Sequence, residues 1–151
     1  MALRHLLLRL LSFYPPFVGA GIRVRRLPDG YESRMTLRTY NRNYFGTHFG
    51  GSLYSMCDPF FALALVERLG PGYTVWDKAA EIRFLRPGKG TVRARFEVPP
   101  ARVEEIRAAV EMSGRLEPRF EAEVVDGAGN VVARVEKLLS VKRATPPSSG
   151  A

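Results

Sequence analysis

Apolar and polar positions change period several times along the chain, and each change predicts an element. Leu3, Leu6, Leu7, Leu10 and Leu11 recur at helical spacing with Arg4, His5 and Arg9 between them. That predicts an amphipathic helix over residues 1–16, ended by Pro15-Pro16. Ile22 to Leu27 is followed by the turn signal Pro28-Asp29-Gly30. Beyond it Tyr31, Ser33, Met35 and Leu37 alternate with Glu32, Arg34, Thr36 and Arg38, the pattern of a half-buried hairpin. From Ser52 to Leu69 the period becomes helical. Leu53, Met56, Cys57, Phe60, Phe61, Ala64, Leu65 and Leu69 cover much of the circumference, so this helix should be central and buried. Gly70-Pro71-Gly72 stops it.

The second half reads mainly as strands. Tyr73 to Leu85 ends at Arg86-Pro87-Gly88, and Thr91 to Val98 alternates Val92, Ala94 and Phe96 with Arg93, Arg95 and Glu97. Pro99-Pro100 leads into a helix over Ala101 to Ser113, with Val103, Ile106 and Val110 on one face. Arg119 to Val125 and Val131 to Val141 flank Asp126-Gly127-Ala128-Gly129-Asn130 and predict a hairpin. The tail over residues 144–151 has nothing to bury and is expected to be disordered. A helix apolar all round needs a sheet to wrap it. The expected fold is therefore α+β: one domain over residues 1–143, with an antiparallel sheet curled around one helix and an extra helix at the N-terminus.

A chain of 151 residues buries roughly two-thirds of its unfolded surface, enough for one real core. Cys57 is the single cysteine, which excludes an intrachain disulfide framework and fits a reducing, cytoplasmic setting. The net charge of +8 makes an anionic partner attractive, whether nucleic acid, lipid or a phosphate-bearing cofactor. The basic residues recur singly along strands, without a basic helix or stacking platform, so nucleic acid is not expected. The N-terminal run is too short and too charged to span a bilayer. Packing on its own domain or on a partner subunit, or weak membrane-surface contact through residues 3–13, remain open for it. Two histidines and one cysteine, without HxxxH or CxxC spacing, supply no metal set.

The stretch NRNYFGTHFGGSLYSMCDP, residues 41–59, carries the candidate chemistry. Its polar, glycine-rich half opens the central helix, and its apolar half ends in Asp58 followed by Pro59. Glycines at a helix start let a ligand approach free N–H donors and the positive end of the helix. A carboxylate in an apolar helix suits water activation; equally, Asp-Pro is a good cap and first-turn pair. For His48 the plain alternative is a hydrogen-bonded loop histidine, and for Cys57 it is core packing. Lys78 shares the even-numbered row Trp76, Lys78, Ala80, Ile82 and Phe84, so it is expected on the apolar face, opposite Asp58 in its own or a second subunit. A bulge would instead turn it to solvent.

These residues resemble the hotdog-fold thioesterases, notably the phenylacetic-acid-type acyl-CoA thioesterases. They resemble most a hotdog family of unknown function that carries similar NRNYxGTHFGGSLYxMxDP, WDKAAxIRFLRP and PPFxGAGI runs. The resemblance spans about residues 14 to 142. It implies a hotdog fold, a homodimer or dimer of dimers, and a thioester substrate on coenzyme A or an acyl carrier, with no resident cofactor. It implies that Asp58 is the helix carboxylate, acting as base or nucleophile, that the Gly51 N–H polarises the thioester carbonyl beside Gly50, and that Asn43 and His48 orient substrate or water. Phe49, inserted between His48 and the glycines, and Pro59 depart from the thioesterase pattern. Arg83, Arg86 and Arg93 are the candidate contacts for coenzyme A phosphates. The alternative on the same fold is a non-catalytic acyl- or lipid-binding module.

Overall fold

A computed structural model of the chain describes residues 11–144. The expected N-terminal helix falls mostly on residues 1–10, and the expected tail on 145–151, both outside the described residues. The first described residues, Leu11–Phe13, form a 3-10 turn, followed by α1 (Pro15–Ala20). The two prolines open this short helix. Each lacks an N–H that a first helical turn does not use. The Ser12 hydroxyl accepts the Val24 N–H at 2.9 Å and fastens this segment to the sheet.

Further along come β1 (Ile22–Leu27), β2 (Gly30–Thr36), α2 (Gly50–Ser55), α3 (Phe60–Leu69), β3 (Tyr73–Phe84) and β4 (Thr91–Glu97). The chain then forms α4 (Pro100–Ser113), β5 (Arg115–Leu116), β6 (Arg119–Val125) and β7 (Val131–Arg143). The strands make one antiparallel sheet in the order β1-β2-β4-β6-β7-β3, with β5 on β7. The short β5 carried no sequence signal: two residues show no period.

Phe60, Phe61, Ala64, Leu65 and Leu69 bury one side of α3 against the inner face of this sheet. Phe60 stacks on Phe96 with ring centroids 4.9 Å apart, and Phe61 on Phe120 at 4.8 Å. The alternation read in β4 holds: Val92, Ala94 and Phe96 are buried, while Arg93, Arg95 and Glu97 are exposed. Val103, Ile106 and Val110 of α4 are buried as well.

The central helix is not continuous. Pro59 has no N–H and its ring clashes with the carbonyl four residues back, so residues 56–59 form turns between α2 and α3. The buried Ser33 hydroxyl donates to the Met56 carbonyl at 2.5 Å and satisfies it at the break.

β3 contains a bulge. Asp77 lies opposite Leu139 but Ala79 lies opposite Leu138, so Lys78 is the extra residue. The bulge shifts the side-chain phase by one. Val75 and Asp77 face inward before it, and Ala80 and Ile82 after it, opposite the inward Val141, Leu139, Lys137 and Val135. The even-numbered row is thus split, and Lys78 leaves the inner face for a salt bridge to Glu117 at 2.8 Å. β3 is also an edge strand: among the described residues it pairs only with β7.

Candidate functional site

A lysine does face Asp58, but from another strand. Lys137 occupies the inner row of β7 between Val135 and Leu139, and its side chain is fully buried. Its ammonium is 2.8 Å from Asp58 Oδ1 and 3.0 Å from Asp77 Oδ1. The Tyr54 hydroxyl donates to the same Asp58 oxygen at 2.6 Å. Tyr54 and Asp58 are four residues apart, the spacing that brings side chains together on one helical face. Two carboxylates and one buried ammonium thus meet where the helix break faces the sheet.

The electrostatics follow from this geometry. Burial pushes the Asp58 carboxyl up, but the hydrogen bonds from Lys137 and Tyr54 outweigh it and hold Asp58 below the usual carboxylate range. Burial works against the Lys137 charge, yet Asp58 and Asp77 together raise its pKa above the ordinary lysine value. Burial, then the bond to Asp58, raise the Tyr54 phenol. Asp58 is therefore a fixed anion. Its Oδ1 is occupied twice, while Oδ2 has no partner among the described residues. The residue lines a mostly apolar cavity of about 420 Å³ with Leu11, Tyr14, Phe17 and Leu63.

Asp58 does not cap α3, whose first turn has no side-chain cap. The capping alternative fails because the carboxylate is already committed to Lys137 and Tyr54.

The glycines behave as a helix opening should. Neither the Gly50 nor the Gly51 N–H has an acceptor among the described residues, since Ser52 and Leu53 are the first to bond back, both to the Phe49 carbonyl. The Phe49 ring stands beside Gly51, where a Cβ would come within 2.6 Å of it. A side chain at Gly51 would push the Phe49 ring aside, so the glycine accommodates the inserted Phe49 where it stands.

Asn43 and His48 are elsewhere. Asn43 Oδ1 accepts the Phe45 and Thr47 N–H groups, and its amide donates to Thr47 Oγ1 and the His48 carbonyl. Its hydrogen-bonding capacity is consumed within its own loop. His48 is buried, with Nε2 3.0 Å from the Gly90 carbonyl oxygen. Burial lowers its pKa and the Gly90 contact only partly opposes this, so the ring is neutral, donating from Nε2 and leaving Nδ1 without a partner. His48 ties the glycine loop to the segment around Gly88 and Gly90, Asn43 holds the loop itself together, and neither bonds to Asp58. Cys57 is wholly buried and its thiol is pushed up to about 12 by desolvation, so it packs and does not react. Arg83 pairs with Glu81 at 2.6 Å, and Arg86 follows β3 beyond its end. No group of side chains with metal-ligand character occurs among the described residues.

Lys137, Asp77 and Tyr54 are the site residues that sequence reasoning missed. Lys137 left a signal: it interrupts the alternating apolar row Val135, Leu139 and Val141, just as Lys78 interrupts its own. Asp77 left none, because its orientation depends on the bulge.

A family model for a domain of unknown function, DUF4442, matches residues 4–141. The chain belongs to the DUF4442 family. Among solved structures, this DUF4442 domain is similar to a Pseudomonas aeruginosa protein of unknown function described as a "probable thioesterase". The two share 25% identity and a TM-score of 0.77 over 93% of each chain. A thioesterase from Haemophilus influenzae has the same fold at 18% identity and a TM-score of 0.66, over 93% of this chain and 92% of that one. A Chlorobaculum tepidum protein of unknown function does so at 15% identity and 0.73, over 93% and 94%. Among curated proteins, none matches the sequence. The fold is the hotdog fold, and the domain is thioesterase-like.

Proposed function

We propose that this DUF4442 domain hydrolyses an acyl thioester carried by coenzyme A or an acyl carrier. The observation that carries this reading is Asp58: a carboxylate at the wall of an apolar cavity, anchored through one oxygen by Lys137 and Tyr54 with the other left over. The acyl group occupies the cavity. The N–H groups of Gly50 and Gly51 receive the carbonyl oxygen, where one such donor contributes about 3 to 4 kcal/mol toward a developing oxyanion. Asp58 Oδ2 orients water against the carbonyl carbon. With its pKa held low it is a weak base, so its contribution is about 100-fold, at the low end for such groups.

Gly51 and Asp58 are seven residues apart, roughly 10 Å along a helix, too far to serve one carbonyl. The reading therefore requires two copies, with Asp58 of one facing Gly51 of the other. β3 supports such a dimer. It offers 12 residues of strand with one edge unpaired among the described residues, and Trp76 and Phe84 stand exposed on it.

The Lys137–Asp58 pair favours a second reading, a non-catalytic acyl-binding module, because an ion-paired carboxylate is a poor base. Thiol release from a panel of acyl-CoA thioesters decides between them. Turnover abolished by Asp58→Asn supports hydrolysis. Thermal stabilisation by the same ligands without turnover supports binding alone.

A further inference from the structure

The outer face of the sheet carries an arrangement that the hydrolytic site does not explain. Arg23 of β1 lies directly opposite Arg34 of β2, and Arg34 directly opposite Arg93 of β4. Three like charges therefore occupy one row across three strands, which is destabilising when nothing neutralises them. Two residues along, the same strands show the neutralised version. Arg25, Glu32 and Arg95 form the next row, and Glu32 pairs with Arg25 at 3.0 Å and with Arg95 at 2.9 Å. No acidic residue occupies the middle of the Arg23–Arg34–Arg93 row. All 15 acidic side chains of the sequence fall between residues 29 and 136, within the described region, and none pairs with Arg23, Arg34, Arg38 or Arg93. No acidic side chain of this sequence supplies the neutralising charge.

Part of this row is a concave site. Arg23, Arg34 and Arg38 line a cavity of about 370 Å³ together with Thr36 and Tyr40. Gly21 closes one side with a positive φ of 72°, and a Cβ there would sit 2.6 Å from the Tyr40 hydroxyl oxygen. The backbone is thus drawn in against the tyrosine. The Tyr40 hydroxyl has no partner among the described residues, while Thr36 is hydrogen-bonded to Thr91. Guanidinium groups match phosphate oxygens in geometry as well as charge.

We infer that Arg23, Arg34 and Arg38 form a binding site for a small molecule bearing more than one phosphate. Arg23 and Arg34 stand side by side on strands about 4.8 Å apart and Arg38 lines the same cavity, so three guanidinium groups converge there, more than a single phosphate needs. The position of the cavity gives it a purpose that rests on the hydrolytic reading. Tyr40 also lines the cleft of Gly51 and Ser52, and that cleft shares Pro16 and Ser55 with the apolar cavity of Asp58. The basic cleft thus adjoins the glycine cleft, matching the phosphorylated handle and the thioester of a carrier-bound substrate, while the acyl end runs on to the Asp58 cavity of the second copy. The handle is then held by Arg23, Arg34 and Arg38 rather than by Arg83 and Arg86.

Calorimetric titration of the full chain with adenosine 3′,5′-bisphosphate at low salt tests the site. Binding is expected, weakened by added salt and reduced at least tenfold in both Arg23→Glu and Arg34→Glu. Lys142→Glu, the same charge change on exposed β7, should bind as the wild type does. No binding by the wild type, or equal binding by Arg34→Glu, overturns the inference. Inorganic phosphate binding as tightly as the bisphosphate overturns the two-phosphate assignment, and adsorption to anionic vesicles without bisphosphate binding overturns the small-molecule one. In turnover, Arg34→Glu should raise KM at least tenfold for an acyl-CoA and leave the matching acyl-N-acetylcysteamine thioester unchanged. Arg34-dependent bisphosphate binding without hydrolysis of any thioester upholds the site while removing the hydrolytic reading.

Discussion

The Lys137 ammonium, sealed inside the sheet, sits 2.8 Å from an Asp58 oxygen whose side chain is half exposed. A buried cation fixes a carboxylate that solvent and ligand can reach. Replacing the cation by an apolar residue of similar length, Lys137→Met, leaves Asp58 and Asp77 facing each other without it. We expect a loss of about 2 kcal/mol, below the about 3 to 5 kcal/mol of a fully buried pair because both carboxylates reach water. Urea denaturation measures it. Unchanged stability would mean that the ammonium is replaced by water at no cost.

The pair also gives stability a defined pH dependence. Asp58 is held below its ordinary 3.8, so its contribution is present above that value and disappears as pH falls through the lowered pKa. Lys137 is held above its ordinary 10.5, so its contribution is complete below that value and is lost as pH rises through the raised one. The difference in Tm between wild type and Lys137→Met should be flat across the neutral range. It should narrow in acid below the ordinary carboxylate value and in base beyond the ordinary lysine value. A difference that peaks near neutrality and falls by half within two pH units either side contradicts this assignment.

Asp58→Asn keeps the shape and removes the anion. Thioester turnover should fall about 100-fold or more, with acyl ligand still raising Tm. Tyr54→Phe removes one of the two donors on Oδ1 and should cost about 1 kcal/mol of stability. It should also move the acid limb of the turnover profile upward, toward the ordinary carboxylate range. An acid limb that stays in place would show that Tyr54 does not tune Asp58.

A site shared between two copies predicts complementation. Mixed dimers of Asp58→Asn with Gly51→Pro, each inactive alone, should recover activity after joint refolding, because one of the two sites in the mixed dimer is intact. Proline removes the Gly51 N–H at a position where a helix tolerates it. Trp76→Lys on the free edge of β3 should shift sedimentation toward monomer. Activity retained by that monomer would end the two-copy site.

Most of the fold was legible because burial imposes period on sequence. The rows of β4 and β6 and the apolar circumference of residues 53–69 announced a sheet around a helix, and the sheet is there. The start of the site was legible for a related reason. Glycines before an apolar helix and a carboxylate after it are local chemistry, and Gly51 and Asp58 do sit at the opening and the break of the central helix. Asn43 and His48 were legible as polar residues of a tight loop, but not as residues whose capacity is used up within it.

What the sequence determined by itself is each residue's neighbours along the chain: the strands, the helix break demanded by Pro59, and an anionic group at position 58. What only the tertiary structure decided is which residues meet. One bulge at Lys78 reversed the facing of a strand, carried Asp77 inward and sent Lys78 to Glu117. Pairing of β7 against β3 and β6 then brought Lys137 to Asp58 across 79 residues of chain. Period can tell which side of a strand a residue takes only while the pleat is regular. A single unpaired residue changes that side, and the partner across the fold is set by register, which is a property of the assembled sheet.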